Sequence, residues 1–405
     1  MLNFVYICSC FENSLTVYTS REHRNQEVLQ NIKSILQQKG LTQREFAKML
    51  GKKESEISRW FSGKFCVSPM TQAKIEDVLQ EPISADSSYK PENSIIKIGI
   101  VGTGNIARRF AAEMSHVQYG VLTAAFNPDE VQLDRFCREF HIESRCETFQ
   151  ELLAYSDAVY IASPMDTHAD YAKQCISNQK HVLCEMPFTS SMEEGKELYQ
   201  LAKLNKCILM PALKTAYCPS FIQMVDIARS GIIGEISDIS STVTTLLPED
   251  TPTDFYNERL LENATYPLLA IFKLFGSNYK KIQVFNKIHE EKILFSNVNL
   301  EYIDAIATFK VGVGVKSEGS LVISGTKGYI YVPAPWWKTD YFEVRFENQN
   351  DNKKYFFPYE SSGLRYEIQA FIDSVKRKAI NGEYITKEEN LKVLGIQNKI
   401  YNNGK

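Results

Sequence analysis

The chain has 405 residues, of which 44% are hydrophobic and 23% charged, a composition typical of a globular protein large enough for two or three domains. Its net charge of −3 gives no bulk attraction to nucleic acid or to a membrane, and no apolar run approaches the roughly 20 residues of a membrane span. The nine cysteines form neither a C-x-x-C pair nor a cluster with histidine, so we expect reduced cysteines in the cytoplasm and no metal site.

The N-terminal part of the chain is predicted to contain an all-helical unit, residues 24–80, after a poorly ordered extension, residues 1–23. The extension begins MLNFVYICSCF, which lacks the basic start and the cleavage site of a signal peptide. Thr42 and Glu45 have the spacing of a capping box, Gly51 ends the helix that follows, and Ile57 and Trp60 are expected to face the core.

The segment QREFAKMLGKKESEISRWFS, residues 43–62, resembles the helix-turn-helix of phage repressors (Cro/C1, XRE type). The resemblance implies that the second helix of the motif faces the DNA major groove with Lys53, Glu54, Ser55, Glu56, Ser58 and Arg59. Residues 21–82 hold 11 Lys and Arg against 8 Asp and Glu, a net charge of +3, which favours DNA as a partner. The alternative is a small helical module for protein interaction or dimerisation.

A linker rich in serine, proline and charge, residues 81–94, precedes a regular alternation of strands and helices in residues 95–217. This alternation predicts a doubly wound parallel sheet of the Rossmann type, with a ligand at the carboxyl ends of its strands. Five strands are predicted, and they lie at Ile96–Val101, Val121–Phe126, Ala158–Ala162, His181–Cys184 and Cys207–Met210.

The stretch IIKIGIVGTGNIARRF, residues 95–110, reads as a strand, a glycine turn and the start of a helix. Such a turn allows a close approach of the backbone to a pyrophosphate, and the helix offers free N–H groups. Many glycine turns bind nothing, but here the strand–helix context also favours a dinucleotide. The residues expected to line it are Gly102, Thr103, Gly104, Asn105 and Ile106.

Residues 156–187, SDAVYIASPMDTHADYAKQCISNQKHVLCEMP, resemble the D-x-V-x-I-A-(S/T)-P and E-K-P segments of Gfo/Idh/MocA oxidoreductases. The resemblance extends over about Ile95 to Tyr401. It implies a C-terminal α/β domain, residues 218–405, with an open, mostly antiparallel sheet that often forms a dimer interface. It also implies hydride transfer between NAD(P) and a hydroxyl carbon of a sugar, an inositol or a related polyol.

The resemblance also implies site residues, and the chain departs from the family at the most important one. The family lysine of E-K-P acts as acid/base and contacts the substrate hydroxyl, whereas this chain has Met186, whose thioether cannot carry a proton. The family's aspartate and histidine align with Glu262 and Tyr266, four residues apart on a predicted helix. We hypothesise that Lys214 lowers the pKa of Tyr266 and shares the acid/base task with it; otherwise Lys214 is a hydroxyl donor or a surface lysine.

Further cofactor and substrate contacts follow from the same resemblance. Ser163, Pro164, His168 and Glu185 are expected near the cofactor, although a histidine that opens a helix is often only a cap. Tyr217 is expected in the substrate site. Asn127 ends the second strand, where an acidic residue would select NAD; the negative charges of the nearby Asp129 and Glu130 favour NAD over NADP weakly.

The C-terminal half is expected to contain a β-hairpin at an exposed edge, with strands at Ser320–Ser324 and Tyr329–Val332. Trp336 and Trp337 are predicted to lie in a strand and to point to opposite faces, so that Trp337 can stack on a sugar ring. Arg365 is expected to be structural.

Two functions remain open from the sequence. One is an NAD(P)-dependent oxidoreductase of sugars or polyols with a DNA-binding domain attached. The other is a transcription regulator whose oxidoreductase-like part senses NAD(P) or a sugar without turnover. Loss of the lysine at Met186 favours the regulator, and retention of the glycine turn with the Lys214 and Tyr266 pair favours the enzyme.

Overall fold

The computed structural model describes residues 28–61, 69–79, 81, 95–248, 250–359, 361–378 and 384–403. The extension predicted for residues 1–23 and nearly all of the linker predicted for residues 81–94 lie outside these ranges. The chain divides into two compact units, Met1–Glu92 and Asn93–Lys405.

The first unit is helical, as the sequence predicts. Its described residues form four helices, which are α1 over residues 28–38, α2 (Gln43–Leu50), α3 (Glu54–Phe61) and α4 (Pro69–Leu79). The predicted capping box is present: the Thr42 hydroxyl accepts from the Glu45 N–H at 3.2 Å, and the Glu45 carboxylate accepts from the Thr42 N–H at 2.8 Å. Ile57 and Trp60 of α3 are buried against α1 and α2, so the solvent-facing side of α3 is left to polar residues.

The second unit begins with a six-stranded parallel sheet whose strand order is β3-β2-β1-β4-β5-β6. The strands are β1 (Ile96–Val101), β2 (Gly120–Phe126), β3 (Ser144–Cys146), β4 (Ala158–Ile161), β5 (His181–Glu185) and β6 (Leu209–Ala212). The helices that connect or follow them are α5 (Asn105–Glu113), α6 (Glu130–Phe140), α7 (Phe149–Ala154), α8 (His168–Ser177) and α9 (Met192–Leu204). This is the predicted Rossmann arrangement, in which β1 lies at the centre of the sheet.

A second sheet of eight strands is mixed and mostly antiparallel, in the order β14-β13-β12-β11-β7-β10-β9-β8. Its strands are β7 (Ile236–Thr245), β8 (Lys281–His289), β9 (Lys292–Glu301), β10 (Ile306–Val313), β11 (Leu321–Gly325), β12 (Tyr329–Val332), β13 (Tyr341–Arg345) and β14 (Lys353–Phe356). The accompanying helices are α10 (Pro219–Arg229), α11 (Thr253–Phe275), α12 (Leu364–Lys376) and α13 (Lys387–Asn402). Only β7 and β10 pair in parallel among these strands.

Three local expectations are wrong. The short strand β3 was not predicted, because three residues are too few to show an alternating pattern. The hairpin of β11 and β12 lies inside the sheet, between β7 and β13, and not at an edge. Trp336 and Trp337 lie in a 3₁₀ turn after the cis peptide bond Ala334–Pro335 and not in a strand.

A buried ion pair joins α5 of the first sheet to α12 of the second. Arg365 Nε donates to Glu113 Oε2 at 2.6 Å, and the Ser362 N–H and hydroxyl both donate to Glu113 Oε1 at 3.1 and 3.0 Å. Burial alone would raise the pKa of Glu113, but hydrogen bonds from Ser361, Arg365 and Ser362 outweigh it and hold that pKa below its usual value. Arg365 therefore has a structural contact, as expected.

No helix within the described ranges combines the length and the apolar character that crossing a bilayer requires. The six cysteines that the described residues contain are free and buried, and they are Cys137, Cys146, Cys175, Cys184, Cys207 and Cys218.

Replacing Arg365 by methionine would leave the Glu113 carboxylate buried without its cation. We expect Arg365→Met to lower the free energy of unfolding by about 3 to 5 kcal/mol, measured by urea denaturation. The matched control is Arg138→Met: Arg138 has an 84% exposed side chain and pairs with Asp134, and its loss should cost below about 0.5 kcal/mol. Equal effects of the two variants would contradict the role of the buried pair.

Candidate active site

The glycine turn between β1 and α5 has the geometry of a phosphate cradle. Gly102 has a φ of 90°, and a Cβ there would lie 2.4 Å from the Ala162 carbonyl oxygen, so only glycine fits. A Cβ built at Gly104 would meet nothing within 4 Å, and Gly104 caps α5 without a side-chain hydrogen bond. The first N–H groups of α5 have no acceptor within the helix, and the space beside Gly104 is open, an arrangement that suits the pyrophosphate of a dinucleotide.

Asn127 connects this turn to the end of β2. Its Nδ2 donates to the Thr103 hydroxyl at 2.6 Å, and the Gly102 N–H donates to the Phe126 carbonyl at 3.0 Å. Thr103 is buried, so its side chain supports the turn from behind. The sequence did not predict this hydrogen bond, because it joins two loops whose residues are 24 positions apart.

The loop after β4 carries Ser163, Pro164 and His168. The Ser163 and Thr167 hydroxyl oxygens are 2.7 Å apart. His168 is buried; its Nδ1 lies 2.9 Å from the Pro187 carbonyl oxygen and its Nε2 lies 2.9 Å from the Ser163 carbonyl oxygen. The ring therefore spans the loops after β4 and β5, and makes no capping hydrogen bond to α8.

Glu185 ends β5 and is partly buried beside Tyr160 of β4. The Tyr160 hydroxyl donates to Glu185 Oε1, while the Tyr160 ring is stacked on Phe110 at 3.9 Å between ring centroids. Burial raises the pKa of Glu185 to about 7, and the negative charge of Glu262 adds to this, whereas the Tyr160 hydrogen bond and the positive charge of Lys214 oppose it.

Met186 follows Glu185, and the peptide bond to Pro187 is cis. Its side chain is buried and lines a cavity of about 20 Å³, together with Pro211, Leu213, Thr265, Leu269, Phe272, Ile385, Glu389, Asn390 and Val393. The wall of this cavity is mostly apolar. In the structure the thioether therefore packs between β6, α11 and α13.

Lys214 lies just beyond β6, in the 3₁₀ turn Lys214–Tyr217. Its Nζ donates to the Ser362 carbonyl oxygen at 2.7 Å, and burial lowers its pKa. Ser362 also donates to Glu113, so Lys214 is connected to the buried ion pair of α5 and α12. β5 and β6 pair with Glu185 opposite Ala212, which brings Lys214 to the same edge of the sheet as Glu185.

Glu262 and Tyr266 lie together on α11, as predicted. Arg259 Nη1 forms an ion pair with Glu262 Oε2 at 2.6 Å, and burial raises the pKa of Glu262. The expectation that a cation lowers the pKa of Tyr266 is wrong: burial and the negative charges of Glu262 and Glu185 raise it. The phenol therefore stays protonated at neutral pH and can act as a hydrogen-bond donor.

Three further aromatic residues were expected near the substrate or in a neighbouring strand, and they are Trp337, Trp336 and Tyr217. The Trp337 ring is stacked on the Tyr266 ring, with 5.9 Å between centroids and 29° between planes, and it is only partly buried. Trp336 is buried, and its Nε1 donates to the Thr242 carbonyl at 3.2 Å. Tyr217 is also buried, and its ring packs edge-on against Tyr384.

The site includes groups that the sequence did not identify. Tyr160 of β4 and Glu367 of α12 also lie near the site. They could not be found from the sequence because they come from segments far apart along the chain. The Glu367 carboxyl is buried, and neither oxygen makes a hydrogen bond of good geometry to the described residues. Burial and the charge of Glu185 raise the pKa of Glu367 well above its usual value.

The residues predicted to contact DNA are on or next to α3 of the helical unit. Lys53, Glu54, Ser55 and Ser58 are exposed, whereas Ile57 and Trp60 of α3 are buried. The side chains of Glu56 and Arg59 lie outside those the structure describes. The exposed set leaves a polar surface free for a partner.

Comparison with known proteins finds a family match within each of the two units. Residues 96–213 match the Gfo/Idh/MocA oxidoreductase family with its NAD-binding Rossmann fold, and residues 32–85 match a helix-turn-helix family. The scyllo-inositol 2-dehydrogenase (NADP(+)) of Bacillus subtilis is 34% identical over 132 residues, 32% of this chain and 40% of that protein. The glucose-6-phosphate 3-dehydrogenase of Bacillus subtilis is 31% identical over 146 residues, 36% of this chain and 40% of that protein.

Solved structures share the fold over both sheets. The 3-ketoreductase KijD10 from Actinomadura kijaniata, in complex with NADP and TDP-benzene, superposes with a TM-score of 0.68 at 19% identity and covers 76% of this chain and 97% of its own. Levoglucosan dehydrogenase, with NADH and levoglucosan, gives a TM-score of 0.68 at 15% identity, over 77% of this chain and 98% of its own. At these identities the likeness concerns the fold. Residues 96–213 are therefore a Gfo/Idh/MocA NAD(P)-binding oxidoreductase domain, and an N-terminal helix-turn-helix domain precedes it in the same chain.

Proposed function

We propose that this chain is an NAD(P)-dependent oxidoreductase that acts on a hydroxyl group of a sugar, a polyol or an inositol-like substrate, and that its helix-turn-helix domain binds DNA. The observation that carries the enzymatic part is the open N-terminus of α5 at Gly104, beside titratable side chains at the carboxyl ends of β5 and β6. The dehydrogenase activities of the relatives named above support the reaction class.

The cofactor would be held by the loops that follow β1, β2 and β4 and by the end of β5. The glycine turn would bind the pyrophosphate through backbone N–H groups, and Asn127 would face the adenosine ribose. We propose the following cofactor contacts: Gly102, Thr103, Gly104, Asn105, Ile106, Asn127, Ser163, Pro164 and Glu185, with His168 fixing the loops after β4 and β5. When bound, NAD(P)⁺ accepts a hydride from the carbon that carries the hydroxyl.

We propose NAD as the preferred cofactor. The hydrogen bond from the Gln132 N–H lowers the pKa of Asp129, so this residue is negatively charged at neutral pH, and Glu130 adds a second carboxylate at the start of α6. Both lie just after Asn127, where the 2′-phosphate of NADP would come close to their charge.

The substrate would lie between the carboxyl ends of β5 and β6 and the aromatic pair of Tyr266 and Trp337. We propose that Tyr266 donates a hydrogen bond to the reacting oxygen and that Lys214 supplies positive charge beside it. Glu262 would orient the substrate through another hydroxyl. The partly exposed ring of Trp337 would stack on a face of the sugar, and Met186 and Tyr217 would form part of the pocket wall.

The second candidate is a transcription regulator that binds NAD(P) or a sugar without turnover. The observation that favours it is the apolar surroundings of Met186 at the position where the family resemblance implies a catalytic lysine.

In either case dimerisation would help the helix-turn-helix to bind two half-sites, and we propose the open face of the eight-stranded sheet as the homo-oligomer interface. The free, buried cysteines support a cytoplasmic location.

Cofactor binding is tested with Gly104→Val. The added side chain meets no protein atom within 4 Å of its Cβ but fills the space of the phosphates, so the affinity for NADH should fall by at least about tenfold while the fold is retained. Fluorescence titration with NADH and NADPH measures this, and NADH should bind more tightly to the wild type. The control Gly395→Ala, whose Cβ would make an ordinary contact with Met192, should bind as the wild type does.

Lys214→Met tests the cation beside the substrate. We expect kcat to fall by about 10²-fold or more, because the developing negative charge on the substrate oxygen loses its positive neighbour. Nicotinamide absorbance during incubation with scyllo-inositol, D-xylose and glucose 6-phosphate measures turnover. The control is Lys203→Met, at an exposed position of α9. Full turnover by Lys214→Met would rule out this role.

Lys53→Ala tests the DNA-binding surface. If Lys53 contacts phosphate, its loss should weaken binding to all sequences alike and reduce the salt dependence of the affinity by about one counterion. Duplexes selected from a random library serve as the probe in a shift assay, with and without NADH. Lys74→Ala, at an exposed position of α4, is the control. Equal losses in both variants would contradict the proposed surface.

The same assays discriminate between the two functions. Turnover of any polyol without an effect of NADH on DNA binding would exclude the regulator, and a cofactor-dependent shift without turnover would exclude the enzyme.

A further inference from the structure

Oxidation of a hydroxyl needs a group that accepts its proton, and the groups considered so far are poorly suited to this. Tyr266 stays protonated, because burial and two neighbouring carboxylates disfavour its anion. Lys214 Nζ donates to the Ser362 carbonyl oxygen, and Met186 has no titratable atom. The acceptor must therefore be sought among the other side chains of the site.

Glu185 has the required position. It is the last residue of β5, at the strand end where substrates of this fold bind, and it directly precedes Met186. Glu185 is a partly exposed residue, whereas the neighbouring Glu367 is buried. The Tyr160 hydroxyl donates to Glu185 Oε1 and so fixes the plane of the carboxyl group.

The surroundings of Glu185 come from its own strand β5 and from four other segments of the chain. Its titratable and charged neighbours are Tyr160 on β4, Cys184 on β5, Lys214 after β6, Glu262 and Tyr266 on α11, and Glu367 on α12. Two of these are further carboxyls and one is a cation. The negative charge of Glu262 favours proton uptake by Glu185, and the positive charge of Lys214 opposes it. A base that is poised near the working pH transfers protons most efficiently.

We propose that Glu185 is the proton acceptor of the hydroxyl oxidation and performs the task that a lysine at position 186 performs in the family. This role rests on the proposed function. In the oxidation the substrate O–H bond breaks and its proton passes to the Glu185 carboxylate, while the hydrogen on the same carbon leaves with its electron pair to NAD(P)⁺. The carbon becomes a carbonyl, the cofactor is reduced, and Glu185 ends as a carboxylic acid.

The first test compares Glu185→Gln with Glu143→Gln, an exposed position away from the site. In the wild type, kcat for the polyol panel should rise with pH through about 7 as the carboxylate forms. Glu185→Gln should lower kcat by about 10²- to 10⁴-fold and abolish this rise, whereas Glu143→Gln should keep both the wild-type kcat and the rise. A wild-type kcat in Glu185→Gln, or a reduced kcat with the rise intact, would overturn the role.

A second readout needs no substrate. Because the folded-state pKa of Glu185 lies above its unfolded value, its contribution to stability is present below about 4.5 and is lost as the pH rises through about 7. The unfolding temperature of the wild type should fall over this range, and the fall should be smaller in Glu185→Gln. Identical pH profiles of unfolding would overturn the proton uptake on which the role depends.

The third test is a rescue. The double variant Glu185→Gln, Met186→Lys carries a new base at the position of the family lysine and should recover turnover that Glu185→Gln lacks. A double variant that folds and binds NADH without recovering turnover would overturn the equivalence of the two positions. A wild type that oxidises no member of the panel would overturn the proposed activity itself, together with this role.

Discussion

The buried carboxylate of Glu113 is the constraint on which the site depends. An ionised carboxyl inside a protein needs a cation and hydrogen-bond donors. For Glu113 the cation is Arg365 and the other donors are Ser361 and Ser362, all in the segment where α12 begins. The ion pair with Arg365 therefore fixes α12 against α5, the helix that begins at the glycine turn. Because Ser362 lies between Glu113 and Lys214, the same network sets the position of the Lys214 ammonium group.

The rest of the site is formed where the carboxyl ends of neighbouring strands lie side by side. The order β4-β5-β6 brings the loops that carry Ser163, Glu185 and Lys214 to one edge of the parallel sheet. The ring of His168 joins the first two loops through their carbonyl oxygens. α11 then adds Tyr266 and the 3₁₀ turn after β12 adds Trp337, and the substrate region that we propose lies beside this stacked pair.

Burial determines what each titratable group in this region can do. Burial raises the pKa of all three carboxyls, those of Glu185, Glu262 and Glu367; the charge of Glu262 further raises the pKa of Glu185, and the charge of Glu185 further raises that of Glu367. The same negative charges keep Tyr266 protonated, and Lys214 is the cation that favours the ionised form of Glu185. In the mechanism that we propose, Tyr266 is the hydrogen-bond donor and Glu185 the proton acceptor, which is the pairing that acid/base chemistry requires.

The sequence by itself determined the local features. The capping box of Thr42 and Glu45, the strand Ile96–Val101 with its glycine turn, and the pairing of Glu262 with Tyr266 on one helix depend on residues a few positions apart, so pattern and spacing suffice. Only the tertiary structure decided the contacts between distant segments. Arg365 and Glu113 are 252 positions apart, Tyr160 meets Glu185 across two strands, and the pKa of Tyr266 depends on charges from β5 and α11. The physical reason is that burial and electrostatic environment are properties of the packed chain, which no local pattern encodes.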